Sequence, residues 1–324
     1  MRACASCARP PAVPRGRSCV AEALAPNPHY RYEPKQVDAI VIRPFDFDFP
    51  DDLDPVWAPG ARVRSLMFNG FSLTMPYLEP YLIKSMQAAS LHIKEPRLLE
   101  DIRAFNGQEA RHYQCHRRLN ELIKKNGYPE LAEVEARLAK SYERLLRKPL
   151  ETQLAYNAGF ETMTNGFTRW FINRRRALWG GNCPWVSSFW VMHMVEETEH
   201  KTVAFDTYMA YSGRYLPRAI GVFHGSFHVL GYGLIAMVAA LKKDGLWPRP
   251  RTLWEIVREV GSLLWNVGPY LLRGLLPSHN PRCDEDPEWQ KAWIAGYKTL
   301  PPNTPVPLLD TRDPDIPVPF TTKT

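Results

Sequence analysis

Two pairs of glutamates stand at mirrored positions about two turns, and no other feature of this 324-residue chain restricts its fold as much. Glu79 and Glu109 are 30 residues apart, and their midpoint is Lys94 in the turn IKEP. Glu161 and Glu197 are 36 residues apart, with Trp179 at the midpoint and Gly180-Gly181 directly after it. Both arms of an antiparallel helical hairpin rise about 1.5 Å per residue, so residues equidistant from the turn lie at the same height. Each hairpin therefore sets one glutamate across from another. The second glutamate of each pair opens a Glu-x-x-His, as Glu109/His112 in NGQEARHYQCH and Glu197/His200 in EETEH. Residues three apart share a helical face, so each motif brings an oxygen and a nitrogen to one point.

The remainder of the chain reads as helix. No window sustains period-two alternation, and the expected fold is all-α. The 30 prolines concentrate near the two ends and between candidate helices. Residues 1–55, which include FDFDFPDDLD, are expected to form an irregular leader, and 301–324 a Pro-rich strap or loose tail. Between them, 56–300 form a single helical domain. The first helix is expected from Pro76 to His92, with Pro76 and Pro80 in its opening turn. The second runs from Pro96 to Lys125, where NGYP stops it. A third stretch starts at Pro129, breaks near Pro149 and resumes from Leu150 to Leu178. A fourth runs unbroken from Pro184 to Tyr211, before Ser212-Gly213. Helices over 215–243, 251–273 and 287–298 follow. The architecture is a four-helix bundle with additional C-terminal helices and irregular Pro-rich termini.

A carboxylate buried beside an imidazole is costly unless something binds both. Four carboxylates and two imidazoles suit two divalent ions bridged by carboxylate, with positions left open for water, dioxygen or substrate. The four negative charges balance the four positive ones; without metal the carboxylates repel and take up protons. Gln108 and Glu196 directly precede the two motif glutamates and are placed to orient the opposite histidines through their second ring nitrogen. His193, one turn before Glu197 on the same face, is a further ligand or a partner of one. His116 is expected at the rim, and Glu199 and Asp206 are expected to face elsewhere, paired with Arg or Lys. Taken alone, Glu109/His112 reads as a solvated helix face. The joint mirrored placement selects the metal reading.

In chain order, Glu79, Glu109/His112, Glu161 and Glu197/His200 resemble the ligand set of ferritin-like di-iron carboxylate bundles. More closely, NGQEARHYQ, FETMTNGF and EETEHKTVAFDTY resemble the bacterial family of predicted metal-dependent hydrolases, over roughly residues 60–300. The hydrolase label is itself a prediction, so the resemblance implies metal binding more firmly than it implies a reaction. The ligand set favours iron, with zinc or manganese as alternatives. With iron, the expected chemistry is O2-dependent oxidation of a small apolar molecule in a pocket lined by residues such as Met75, Trp170 and Met194. With zinc or manganese, an activated water would hydrolyse an ester, amide or phosphoester. No catalytic residue beyond the ligands is identified. The rival reading is a non-catalytic metal-binding or membrane-associated helical protein. His279 in LPSHNP resembles a further family motif, with no chemical role attached.

The formal charge of +7 argues for nucleic acid only until it is located. About four of those charges belong to residues 1–36, and INRRR at 172–176 sits near a helix C-terminus, where the dipole favours cations. A small-molecule substrate is expected and nucleic acid is not; nothing sets the oligomeric state. The six cysteines show no framework spacing, and CASC at 4–7 lacks the second pair of a zinc ribbon. A reducing cytoplasm is the expected compartment. Residues 1–35 read as a disordered leader, a transit-like segment or the product of a mis-set start codon. The uncharged run Ala219–Leu241 is 23 residues, long enough to cross a bilayer, which would make the protein membrane-associated, with KKDG at 242–245 as the flank. His224, Ser226, His228 and four glycines within it suit burial against protein better than lipid, and a satisfied buried pair is expected of the two histidines.

Overall fold

The computed structural model describes residues 27–33 and 40–320, and CASC at 4–7 and the start of the leader lie outside them. Among the described residues every regular element is helical. The helices are α1 (Arg62–Ser90), α2 (Pro96–Asn126), α3 (Leu131–Leu145), α4 (Leu150–Asn173), α5 (Arg175–Trp179), α6 (Pro184–Glu199), α7 (Val203–Tyr211), α8 (Tyr215–Lys243), α9 (Pro250–Gly274) and α10 (Glu288–Tyr297).

The first hairpin is α1–α2. Its turn ends where the Glu95 side chain accepts from Arg97 N–H and Pro96 takes the first helical position, where its missing N–H costs nothing. The second hairpin is α4–α6, closed through α5 and a turn in which Gly181 has φ +72°, a backbone state that glycine adopts without a Cβ penalty. Around that turn, Trp57 stacks on Trp179 at 5.7 Å and Phe68 lies 4.9 Å from the same indole. Each such fully buried aromatic side chain contributes roughly 2–3 kcal/mol.

Three helical boundaries differ from expectation, the smallest difference being at Arg174, where the stretch expected to reach Leu178 divides into α4 and α5. α1 begins at Arg62, so Pro76 and Pro80 lie inside it and not in its opening turn. Pro76 has no N–H for the carbonyl of Ser72, and the Asn120 amide of α2 fills that place at 2.9 Å. A buried partner on the facing helix thus offsets what would break an exposed helix. The stretch expected to run unbroken from Pro184 to Tyr211 is interrupted at His200–Thr202. There the Lys201 ammonium is drawn to Asp286 and to the Asp284 carbonyl, each at 2.8 Å.

α8 packs lengthwise on α4 and α1 with its backbone nearly touching theirs. A Cβ at Gly221 would fall 2.0 Å from Ala155 O, and one at Gly70 would fall 2.2 Å from Gly233 O. His228 of α8 is held between Ser141 and Tyr156 at 2.8 and 2.9 Å, while His224 is exposed, so the two do not form a buried pair. The segment 40–58 contains no helix yet buries Phe45, Phe47, Phe49, Leu53 and Trp57. Val306, Leu309, Ile316 and Val318 are likewise buried in the C-terminal strap.

Candidate metal centre

The mirrored glutamates converge. Glu79 comes from α1, Glu109 and His112 from α2, Glu161 from α4, Glu197 from α6, and His200 caps α6. All six are at most 3% exposed, which excludes a solvated face. Side-chain donor atoms of Glu109, His112, Glu197 and His200 lie within 4.8 Å of one another, and those of Glu79, His116 and His193 form a second such group. Ligands about 2.0–2.2 Å from one ion stand roughly 3–4 Å apart, so both groups have the dimensions of a cation site. Glu197 joins them: one oxygen is 2.8 Å from His193 Nε2 and the other 3.7 Å from His200 Nε2. His200 also lies 3.4 Å from Glu109, and Glu161 is 3.9 Å from its Nδ1.

The donor set fits divalent cations by what it leaves unsatisfied. Both oxygens of Glu79, Glu109 and Glu161, one oxygen of Glu197, and His112 Nδ1 are buried with no hydrogen-bond partner. Each buried orphan of this kind costs about 1–3 kcal/mol, more when charged, unless a ligand satisfies it. Burial, and then the Glu197 charge, push the Glu79, Glu109 and Glu161 carboxyls well above their usual range. Burial would raise Glu197 too, but the imidazoles of His200, His193 and His112 outweigh it and hold Glu197 at about 2. That pull needs charged imidazoles, whereas burial drives His112 and His116 well below their ordinary range, towards neutrality. A bound cation removes the conflict by supplying positive charge while the rings stay neutral.

Two hydrogen-bond chains set the ring nitrogens. Glu196 accepts from His112 Nε2 at 2.8 Å, which leaves Nδ1 with its lone pair on the side of Glu197, 3.8 Å away. Burial lifts Glu196 to about 7 even with the Arg43 guanidinium 3.1 Å from it. The second chain begins at Asn120, whose amide N–H donates to the Ser72 carbonyl, so its Oδ1 must face the Ser72 hydroxyl at 2.7 Å. With its proton given to Asn120, Ser72 Oγ accepts from His116 Nδ1 at 2.8 Å. His116 Nε2 then accepts from His193 Nδ1 at 2.9 Å. That order puts the Nε2 lone pair of His193 2.8 Å from a Glu197 oxygen, an acceptor facing an acceptor that a cation shared by the two would make favourable.

Several residues are not where the sequence suggested. His116 is fully buried beside Phe189 and Trp190, not at the rim; its i+4 spacing from His112 places it on the same helical face. Gln108 does not orient His200. Its amide donates to Glu199 at 2.8 Å and to the Val41 carbonyl at 2.9 Å, because the segment before α1 folds over that end of α2. Arg43 carries no signal in the sequence and yet is buried, binding Glu199 at 2.5 and 2.8 Å as well as Glu196. Glu199 and Asp206, by contrast, pair with arginines as expected, Arg43 and Arg282. His279 is 3.5 Å from the Thr162 hydroxyl and packs its ring on Phe205.

A cavity of about 30 Å³ abuts the centre at His193 and Glu197, with Met75, Met163, Met194 and Phe167 among its walls. Trp170 is not part of it, being stacked on Phe68 at 6.1 Å. The space holds little more than water, but methionine side chains yield readily.

No curated protein and no solved structure gives a significant match to this chain. Residues 41–285, well over half of it, match the family described as predicted metal-dependent hydrolase, and the match spans all six converging residues together with Arg43, His116 and His193. The chain belongs to that family.

Proposed function

We propose that the protein is a two-metal enzyme of the ferritin-like type that oxidises a small apolar molecule with dioxygen, with iron as the metal. Glu79, Glu109, His112, Glu161, Glu197 and His200 would hold the metals, with Glu197 lying between the two donor groups and His193 available as a third imidazole. Glu196 orients His112. The observation that carries the reading is the set of buried carboxylate oxygens on Glu79, Glu109 and Glu161 that no protein group satisfies. Bound as iron, the pair supplies redox chemistry and open positions for dioxygen. The surrounding residues then exclude bulk water and hold the substrate against Met75 and Met194. A hydroxylation would consume one dioxygen, two protons and two electrons from a reduced flavin or iron–sulfur carrier, releasing hydroxylated product and water.

The family description favours a second reading, hydrolysis by a zinc or manganese pair that activates water. The apolar walls of the cavity support oxidation over hydrolysis of a polar ester or phosphoester. Elemental analysis of anaerobically purified protein, with an optical spectrum before and after air, separates the two. Two irons and a near-ultraviolet charge-transfer band support oxidation, two zincs replace it with hydrolysis, and protein that retains no metal overturns both.

A further inference from the structure

The exposed apolar surface is concentrated on one pair of helices. Of 16 large hydrophobic side chains that are exposed among the described residues, 13 fall between Tyr215 and Leu276. Scattered exposed apolar residues are ordinary, but a clustered set marks a binding face. On α8 the outward stripe includes Leu216, Ile220, Phe223 and Phe227, three or four residues apart, and the two phenylalanine rings stack at 6.1 Å. On α9 it includes Trp254 and Trp265, 66% and 83% exposed. The helices meet where Tyr215 Oη donates to Leu275 O and Arg218 to Gly274 O. The stripes are not misplaced core, because the opposite sides of both helices are already buried: Gly221 and Gly225 of α8, and Leu263 and Val267 of α9, face inward.

Around the turn that joins the two helices Lys242, Lys243, Arg249 and Arg251 are all exposed. Lys243 is drawn to Glu130 and Arg251 to Glu255, and the one acid between 242 and 251, Asp244, is taken by Arg62, so Lys242 and Arg249 are the cations left to face a partner. Cations beside an apolar stripe with protruding tryptophans match an anionic bilayer surface, where the rings sit at headgroup level and the cations meet lipid phosphates. A second copy is the competing occupant. In a two-fold dimer this patch would meet itself and bring the same cations together, which disfavours it.

α8 is long and apolar enough to cross a membrane. Crossing would strip it from α4 and α1, whose backbones it touches at Gly221 and Gly233 and which carry Glu161 and Glu79. A helix so held lies on a bilayer and does not span it.

We propose that α8 and α9 together form a docking face for an anionic lipid bilayer, resting in its interface without crossing it. Val229, on the inward side of α8, borders the cavity beside Glu197, so the candidate centre opens toward the helix that meets lipid.

Flotation of the full-length protein with phosphatidylcholine vesicles, with and without about one third phosphatidylglycerol, tests this. The protein is expected to float with the anionic vesicles and to bind less as salt rises. The pairs Trp254→Ser/Trp265→Ser and Lys242→Ala/Arg249→Ala should each lower partitioning by about tenfold or more. Their thermal melts should match the parent, since these side chains are exposed, and Phe223→Ser/Phe227→Ser provides an independent check should one of them misfold. Three results would overturn the proposal: no flotation, variants that float as well as the parent, or a solution dimer that the same tryptophan substitutions dissociate.

Discussion

His112 Nε2 lies 2.8 Å from Oε2 of Glu196, a residue contributed by the opposite hairpin. The carboxylate holds the ring with its proton outward and the Nδ1 lone pair inward. Glu196→Gln keeps the shape and removes the charge that strengthens His112 as a donor to metal. Metal affinity should fall about 10- to 100-fold, as measured by competition with a chelator of known affinity. An unchanged affinity would mean that His112 does not bind metal through Nδ1.

The chain from Asn120 through Ser72 and His116 to His193 predicts a different defect. Ser72→Ala leaves the His116 Nδ1–H and Asn120 Oδ1 buried without partners, which costs about 1–3 kcal/mol of stability. It also frees His193 to turn its proton toward Glu197. At the free metal concentration that just fills both positions of the parent, the bound ratio should drop from two toward one, with the group around Glu109 retained; two ions still bound would assign His193 to neither.

The bundle and its six converging residues were legible because hairpin geometry converts sequence distance into spatial height, a rule that needs no knowledge of side-chain packing. What escaped were contacts made by segments without periodicity. Arg43 sits in a proline- and aspartate-rich stretch that reads as irregular, and it is irregular; only its burial against Trp293 and Tyr297 exposes its part in holding Glu196. Two prolines four residues apart read as a helix start, because a sequence cannot show that Asn120 takes up the carbonyl that Pro76 leaves open. The rim position expected of His116 fails for a simpler reason, since its i+4 relation to His112 points it inward.

The buried acids make the metal-free protein sensitive to pH. Glu79, Glu109 and Glu161 are raised by burial and by Glu197, so their contribution to stability is present below the ordinary carboxylate pKa near 4.5 and is lost as pH rises toward their folded values. His112 and His116 are lowered by burial and act oppositely, contributing above 6.5 and losing that contribution as pH falls. Above about pH 6.5 only the carboxylate trend remains. Divalent ions displace those protons, so the rise in Tm on adding metal should widen between about pH 6.5 and 8.5. A constant difference would remove these acids from the metal site.

Glu161 separates stability from function most cleanly, since neither of its oxygens has a protein partner. Glu161→Gln removes a buried acid whose ionised form is repelled by Glu197. The metal-free variant should be more stable than the parent by about 1–3 kcal/mol near neutral pH, while its metal content falls. Denaturant melts of the stripped proteins, paired with elemental analysis, check both halves. A variant that loses stability without losing metal would give Glu161 a purely structural role.

Arg43 should behave in the reverse way, because it is the cation that two buried carboxylates share. Its guanidinium lies 3.1 Å from Glu196 and 2.5 Å from Glu199, with the side chains of all three almost wholly buried. Arg43→Met keeps much of the volume against Trp293 and Tyr297 but leaves both acids uncompensated, which should destabilise the protein by about 3–5 kcal/mol. Most of that loss comes from stranded charge and not from lost packing. Adding Glu199→Gln to Arg43→Met should therefore recover part of it, a coupling that independent sites would not show. Glu196 would remain without its cation in the double variant and would protonate more readily, so metal affinity should stay depressed even where stability returns. Urea midpoints at an unchanged m-value measure the first effect and chelator competition the second. Recovery of both together would mean that Arg43 acts on the centre only by holding the fold.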